Sequence, residues 1–157
     1  MIRQAVLGDI PRLNELLYQV QQVHAQGRPD IFKAGSKKYT TEELEAIIGN
    51  EDTPIYVYDD GTIKGYAFCI LQETEESKQL FHRKTCYIDD LCVDREARGQ
   101  HIGTRLYEYV YQKAAEFGCD SVTLNVWALN GPAMKFYQSL GLLPLKTTME
   151  SQIKRDV

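Results

Sequence analysis

The sequence predicts an α/β domain with a mixed central sheet flanked by helices, antiparallel in its first half and with one parallel pair splayed at a cleft. Three observations lead there. Apolar runs of strand length alternate with segments of helical spacing, in the order β-α-α-β-β-β-α-β-α-β(β). Two strand runs flank the turn Asp59-Asp60-Gly61, which makes that part of the sheet a hairpin. Further on, a strand ending at Val93 is followed by a helix and then by a strand at 121–127. A right-handed crossover of that kind makes the two strands a parallel pair.

Each element has a local cause. Residues 2–6 are a short edge strand. Asp9 suits an N-cap, with Pro11 in the turn that follows. The helix after it runs to about residue 26, with Ile10, Leu13, Leu17, Val20 and Val23 on one face, and Gly27-Arg28-Pro29-Asp30 stops it. Residues 31–39 read as an irregular, partly basic loop bounded by Phe32 and Tyr39. It is either a surface loop with Phe32 tucked into the core or a wall of a binding site. Thr40 and Glu43 form a capping box for a short helix with Leu44, Ile47 and Ile48 inward and Gly49 as its stop. Strands are expected at 54–58, 63–71 and 85–93, with an acidic loop Glu73-Thr74-Glu75-Glu76-Ser77-Lys78 between the last two. The next helix places Ile102, Leu106, Val110, Ala114 and Phe117 on one face and ends at Gly118. Asn130 N-caps a last short helix, Pro132 lies in its first turn and Gly141 ends it. Residues 142–153 are expected to hold one or two final strands.

At 157 residues, 43% of them hydrophobic, the chain is expected to be one domain, 1–157, with a real core. A net charge of −4 argues against a general nucleic-acid binder. Four cysteines without C-x-x-C spacing and three scattered histidines argue against a metal site. Free thiols suit a reducing, cytoplasmic setting. The N-terminus lacks a secretory pattern and no apolar run reaches membrane-spanning length, so no membrane partner is expected.

The chain is organised around the segment from Val93 to Thr104. A strand feeds a charged loop, and the loop opens a helix whose first N–H groups are free and whose dipole favours an anion. Gly99 and Gly103 let a ligand approach the backbone, and Arg98 can pair with phosphate in a bidentate way. This arrangement can hold a phosphate or pyrophosphate, or it is an ordinary strand–loop–helix connection. Gly103 is followed by Thr104-Arg105, which excludes a P-loop, and no G-x-G-x-x-G occurs. A parallel pair that diverges past its carboxyl ends leaves a crevice there. Tyr137 lies two turns past Asn130 on the same helix face. Asp89 and Asp90 lie on the other wall, where strand alternation turns them to opposite sides, so only one faces a given ligand.

Three stretches together, Ile88-Asp89-Asp90-Leu91-Cys92-Val93, Arg98-Gly99-Gln100-His101-Ile102-Gly103, and Asn130 with Ala133, Phe136, Tyr137, Gly141 and Leu142, resemble the GCN5-related N-acetyltransferase (GNAT) superfamily. The R/Q-x-x-G-x-G/A loop of that family falls on Arg98 to Gly103, with His101 where the first glycine is usual. The N-x-x-A-x-x-F-Y-x-x-x-G-F/L pattern falls on Asn130 to Leu142 without a gap.

The resemblance implies acetyl-CoA as donor and an amine as acceptor, and leaves room for a homodimer. It implies that the backbone of Gln100, His101, Ile102, Gly103 and Thr104 holds the pyrophosphate. Leu91 and Val93, flanking Cys92, would pair with the pantetheine arm. Asn130 would bond that arm or cap the last helix, and Phe136 would lie beside a Tyr137 near the thioester sulfur. An alkylamine of pKa ~10.4 must lose a proton before it attacks. Asp89 is the first candidate for that base and Asp90 the second. Tyr137 is the candidate acid for the leaving thiolate. Cys92 and Cys119 read as packing residues, with an acetyl-cysteine route as the minor mechanism. Glu73, Glu75, Glu76 and the two aspartates suit a cationic amine, whether small molecule or peptide N-terminus. The alternative from another class is a non-catalytic acyl-CoA-binding sensor or interaction domain of the same fold.

Overall fold

The structure, a computed structural model, describes residues 1–155. It contains β1 (Ile2–Gln4), α1 (Ile10–Gly27), α2 (Thr41–Ile48), β2 (Ile55–Asp59), β3 (Ile63–Thr74), β4 (Arg83–Val93), α3 (Ile102–Glu116), β5 (Ser121–Leu124) and α4 (Gly131–Ser139). Short 3-10 turns lie at Leu7–Asp9 and Arg95–Ala97. The strands follow the order β1-β2-β3-β4-β5, antiparallel throughout except for the parallel pair β4 and β5. Two compact units divide the chain. The first, Met1–Asn125, carries the sheet and α1 to α3, and the second, from Val126 on, carries α4.

The pleat of the sheet sorts its side chains between two helical layers. On one face, Ile10, Leu13, Leu16 and Leu17 of α1 and Leu44 of α2 pack with Ile55, Val57, Tyr66, Phe68 and Cys92. On the other face, Ala97 and the α3 residues Ile102 and Leu106 pack with Leu91 and Val93. Burying each such large apolar side chain contributes about 1.5–3 kcal/mol. These layers fix β4, the strand that leads into the site, from both sides.

Four expectations are corrected. Asp9 does not cap α1 with its side chain. Its carboxylate instead accepts from Arg3 at 2.8 and 3.0 Å and from the Val6 N–H at 2.8 Å, which ties β1 to the start of the helix. Val23 is exposed and Leu16 takes a place in the core. The β3–β4 hairpin extends to Thr74↔Arg83, beyond its apolar run, because the backbone ladder continues through polar residues, and Glu73 is therefore in a strand. No strand forms in 142–153. Leu143, Leu145, Met149 and Ile153 do fall at alternating positions, but they are 78–86% exposed. No described strand takes up the backbone hydrogen bonds of that segment, and strand pairing needs both a ladder and a face to bury.

Gly65 lies on β3 beneath α3. A Cβ there would stand 2.9 Å from the Cys92 carbonyl oxygen and 3.0 Å from Leu106 Cδ1. The absence of a side chain is what lets α3 lie close over β3 and β4. Gly65→Ala is therefore expected to cost about 1–3 kcal/mol, the usual range for overpacking. Gly131→Ala, where nothing lies within 4 Å, serves as the control. Equal melting temperatures for the two variants would remove this account of the α3 contact.

Candidate active site

β4 carries one residue more than β3 at a single point. Phe68 pairs with Asp90, yet the next residue, Cys69, pairs with Ile88, which leaves Asp89 as a bulge. The bulge breaks strand alternation, and this corrects the expectation that the two aspartates face opposite sides. Lys38 Nζ lies 3.4 Å from Asp89 Oδ2 and 3.9 Å from Asp90 Oδ2. The Tyr39 hydroxyl donates to Asp89 Oδ2 at 3.3 Å, and the Tyr66 hydroxyl donates to Asp90 Oδ2 at 2.8 Å. Both carboxylates thus open on the side where the α1–α2 loop passes.

That loop is held from three places. The Thr40–Glu43 capping box forms as expected, with hydrogen bonds of 3.1 and 3.2 Å. Gln21 Nε2 donates to the Lys33 carbonyl at 3.0 Å, and the Gly35 N–H donates to Gln22 Oε1 at 3.2 Å. The Tyr39 ring stacks on Phe68 at 5.9 Å, while Phe32 packs on His24 at 4.8 Å. Of the two aromatics expected at this wall, Tyr39 touches the carboxylates. Lys38 and Tyr66 join the cluster without a sequence signal. They come from a loop and from a neighbouring strand, and only the register of β3 on β4 brings Tyr66 to Asp90.

Burial dominates the electrostatics. It raises the Asp90 carboxyl above the ordinary range, against the opposing pull of Lys38 and the Tyr66 hydrogen bond. It also raises the Tyr66 and Tyr39 phenols, with the aspartates adding to the effect. Burial lowers the His24 imidazole, which Asp90 partly offsets. The Cys92 thiol is pushed up to about 12, again by burial first, so it stays protonated at neutral pH and is a poor nucleophile. Two adjacent carboxylates that already face an ammonium, with burial raising the proton affinity of Asp90, are suited to taking a proton from an amine.

The second feature lies at the carboxyl end of β4. Pairing with β5 runs from Thr85↔Ser121 to Ile88↔Leu124 and stops one residue before the bulge. Leu91, Cys92 and Val93 therefore have no strand partner on that side among the described residues. Asp94, buried after the strand, accepts from the Arg12 guanidinium and from the Glu96 N–H at 3.2 Å. Burial alone would raise its carboxyl, but these hydrogen bonds hold it below the ordinary range. Arg12 Nε also donates to the Ile63 carbonyl at 3.0 Å, so α1, β3 and the loop are joined at one point.

Beyond this anchor, Arg98, Gly99, Gln100 and His101 are exposed, and Arg98 makes no ion pair among the described residues. Gly99 has φ +84°, and His101 takes the left-handed conformation at φ 61°. A left-handed residue at this position is the physical reason a glycine is usual there. Thr40 caps α2 and Asn130 caps α4, but no side chain caps α3, and its first turn holds no acidic residue. The N–H groups of Ile102, Gly103 and Thr104 in that turn face an anion-compatible field, so the residues present suit a phosphate group. Among the described residues no cluster could hold a metal, and no helix is long and apolar enough to cross a membrane.

In the second unit, Asn130 Oδ1 accepts from the Ala133 N–H at 3.2 Å, so of its two expected roles the capping one is present. Phe136 and Tyr137 are half-buried with ring centroids 5.1 Å apart.

The sequence pattern of the Acetyltransferase (GNAT) family matches residues 17–142. A thialysine N-epsilon-acetyltransferase from Bos taurus is 36% identical over 148 residues, covering 90% of this chain and 82% of the relative. The tetramutant of the BH1408 protein from Bacillus halodurans is 32% identical with a TM-score of 0.94, covering 98% of this chain and 99% of that one. An aminoglycoside N-acetyltransferase, AAC(6')-Iy, solved in complex with CoA, shares the fold at a TM-score of 0.71 and 15% identity, over 99% of this chain and 100% of that one.

The geometry at His101 yields a test. His101→Gly removes a left-handed penalty of about 1–2 kcal/mol at the start of α3 and is expected to hold or raise the melting temperature. His101→Val, β-branched at the same φ, is expected to lower it. The reverse order in thermal melts would show that the loop does not hold this conformation in solution.

Proposed function

The chain belongs to the Acetyltransferase (GNAT) family and is an acyltransferase, and on that premise we propose that it moves an acetyl group from acetyl-CoA to a primary amine by direct attack in a ternary complex. The observation that carries this reading is the carboxylate pair Asp89 and Asp90 gathered on one ammonium by the bulge. In the proposed reaction the whole chain, 1–157, works as one N-acetyltransferase domain.

The pair attracts a cationic acceptor, and Asp90, whose proton affinity burial raises, takes its proton. Tyr39 and Tyr66 hold the two carboxylates in place. The unpaired edge of Leu91, Cys92 and Val93 binds the donor's arm as a further strand would, and its N–H groups stabilise the oxyanion. Arg98, Gly99, Gln100, His101, Ile102, Gly103 and Thr104 hold the pyrophosphate at the open start of α3. In α4, the Asn130 cap fixes the helix, Phe136 supports the neighbouring ring, and Tyr137 protonates the departing thiolate. The protonated Cys92 supports direct attack over an acetyl-cysteine route. The acceptor class is a small aminoalkyl compound or a peptide N-terminus. The relative that acts on the N-epsilon of thialysine supports the former. Four free cysteines support a reducing, cytoplasmic setting.

The test is free-thiol release from acetyl-CoA across thialysine, lysine, a polyamine, an aminoglycoside and a short peptide. Sustained release with an aminoalkyl acceptor is expected, whereas acetyl-CoA binding without turnover across the panel would favour a sensor. Tyr137→Phe is expected to lower kcat by ~10²–10⁴-fold with acetyl-CoA affinity nearly unchanged. Full activity with only a stability change of about 0.5–1.5 kcal/mol would mean that the phenol serves packing alone.

A further inference from the structure

The carboxylate pair already holds an alkylammonium, and it comes from the chain itself. Lys38 Nζ lies 3.4 Å from Asp89 and 3.9 Å from Asp90, and 5.4 Å from the centroid of the Tyr39 ring. Its side chain is 36% exposed, so solvent and a second substrate can reach it. Lys33 and Lys37 share the loop and are exposed, yet neither reaches the aspartates among the described contacts. An ε-ammonium is the same functional group as an aminoalkyl acceptor, and Lys38 places it on the groups assigned to deprotonate one.

We propose that Lys38 is an internal acceptor, acetylated by the protein's own active site. This rests on the reading of Asp89 and Asp90 as the acceptor site. Lys38 gives one ammonium proton to the carboxylate pair, and its neutral Nζ attacks the thioester carbonyl carbon of acetyl-CoA. The new C–N bond forms as the C–S bond breaks. The bonding pair leaves on sulfur, which takes up a proton, and the nitrogen's remaining surplus proton is released. The products are an amide on Lys38 and free CoA thiol. The amide carries no charge, so the ion pairs to Asp89 and Asp90 are lost and the carboxylates are open to an external amine. Before acetylation, Lys38 competes with that amine.

The experiment incubates the full chain with acetyl-CoA and no amine and follows acetylation at each lysine by peptide mass spectrometry. Lys38 is expected to be labelled roughly 10²-fold faster than Lys33 and Lys37, the lower end of what a positioned base contributes. The rate constant should not depend on protein concentration. Asp90→Asn, which removes the carboxylate assigned as the base, should bring Lys38 down toward its neighbours' rate, with folding of the variant checked by its melting profile. Labelling of Lys38 no faster than Lys33 and Lys37, or unaffected by Asp90→Asn in the folded variant, overturns the proposal. So does a rate that rises with protein concentration. If external amines are still acetylated while Lys38 stays unlabelled, the internal acceptor falls and the transferase reading stands. If neither occurs, both fall.

Discussion

The site depends on one extra residue in β4. A strand that stayed in register with β3 would send Asp89 and Asp90 to opposite faces, one into each helical layer. The bulge at Asp89 lets both carboxylates open toward the α1–α2 loop, where Lys38 and Tyr39 meet them. The pairing of β4 with β5 ends at Ile88↔Leu124, next to the same point. Past it, among the described residues, the backbone of β4 pairs with a strand on one edge only. A bulge also increases local twist, which suits a strand that must part from its parallel neighbour. In the proposed reaction, two requirements of acyl transfer, a base for the amine and a backbone edge for the donor, therefore meet at one irregularity.

Such an irregularity needs a rigid surround. The Asp94 carboxylate supplies it beyond the end of β4, gathering Arg12 of α1 and the Glu96 N–H, while Arg12 reaches on to the Ile63 carbonyl of β3. Gly65 allows α3 to lie close on the other face, so that the open start of the helix is carried on a packed core. The charged loop between these anchors can present its N–H groups to solvent without loosening the sheet. His101 absorbs the sharp change of direction at the cost of a left-handed backbone.

Much of this was legible in the chain. Hydrophobic periodicity and turn residues gave the element order as far as α4, and the capping residues Thr40 and Asn130 act where their positions suggested. The junction from Arg98 to Thr104 was legible as a loop that opens a helix, because its glycines precede a run of helical apolar spacing. The side-by-side aspartates were not, since a bulge is a matter of register between β3 and β4 and leaves no composition signal. Lys38 and Tyr66 were hidden for the same reason. Each is ordinary in its own segment and acquires a role only through a neighbour distant in sequence. The tail at 142–153 shows the converse. Its alternating apolar residues satisfy a strand pattern, but among the described residues no second strand completes it.

The central claim is that the largely shielded carboxylate beside the bulge, Asp90, accepts the proton of the amine. The most direct measurement is kcat/KM against pH for the wild type and Asp90→Asn, with folding of the variant checked by its melting profile. Asp90 acts only when ionised, and burial raises the pH at which it ionises. Wild-type activity is therefore predicted to fall with decreasing pH above the ordinary aspartate range of ~3.9. In Asp90→Asn that limb should vanish, and the neutral-pH rate should drop, recovering as pH approaches the amine's own pKa of ~10.4. A folded Asp90→Asn protein with the wild-type profile and rate would contradict the account.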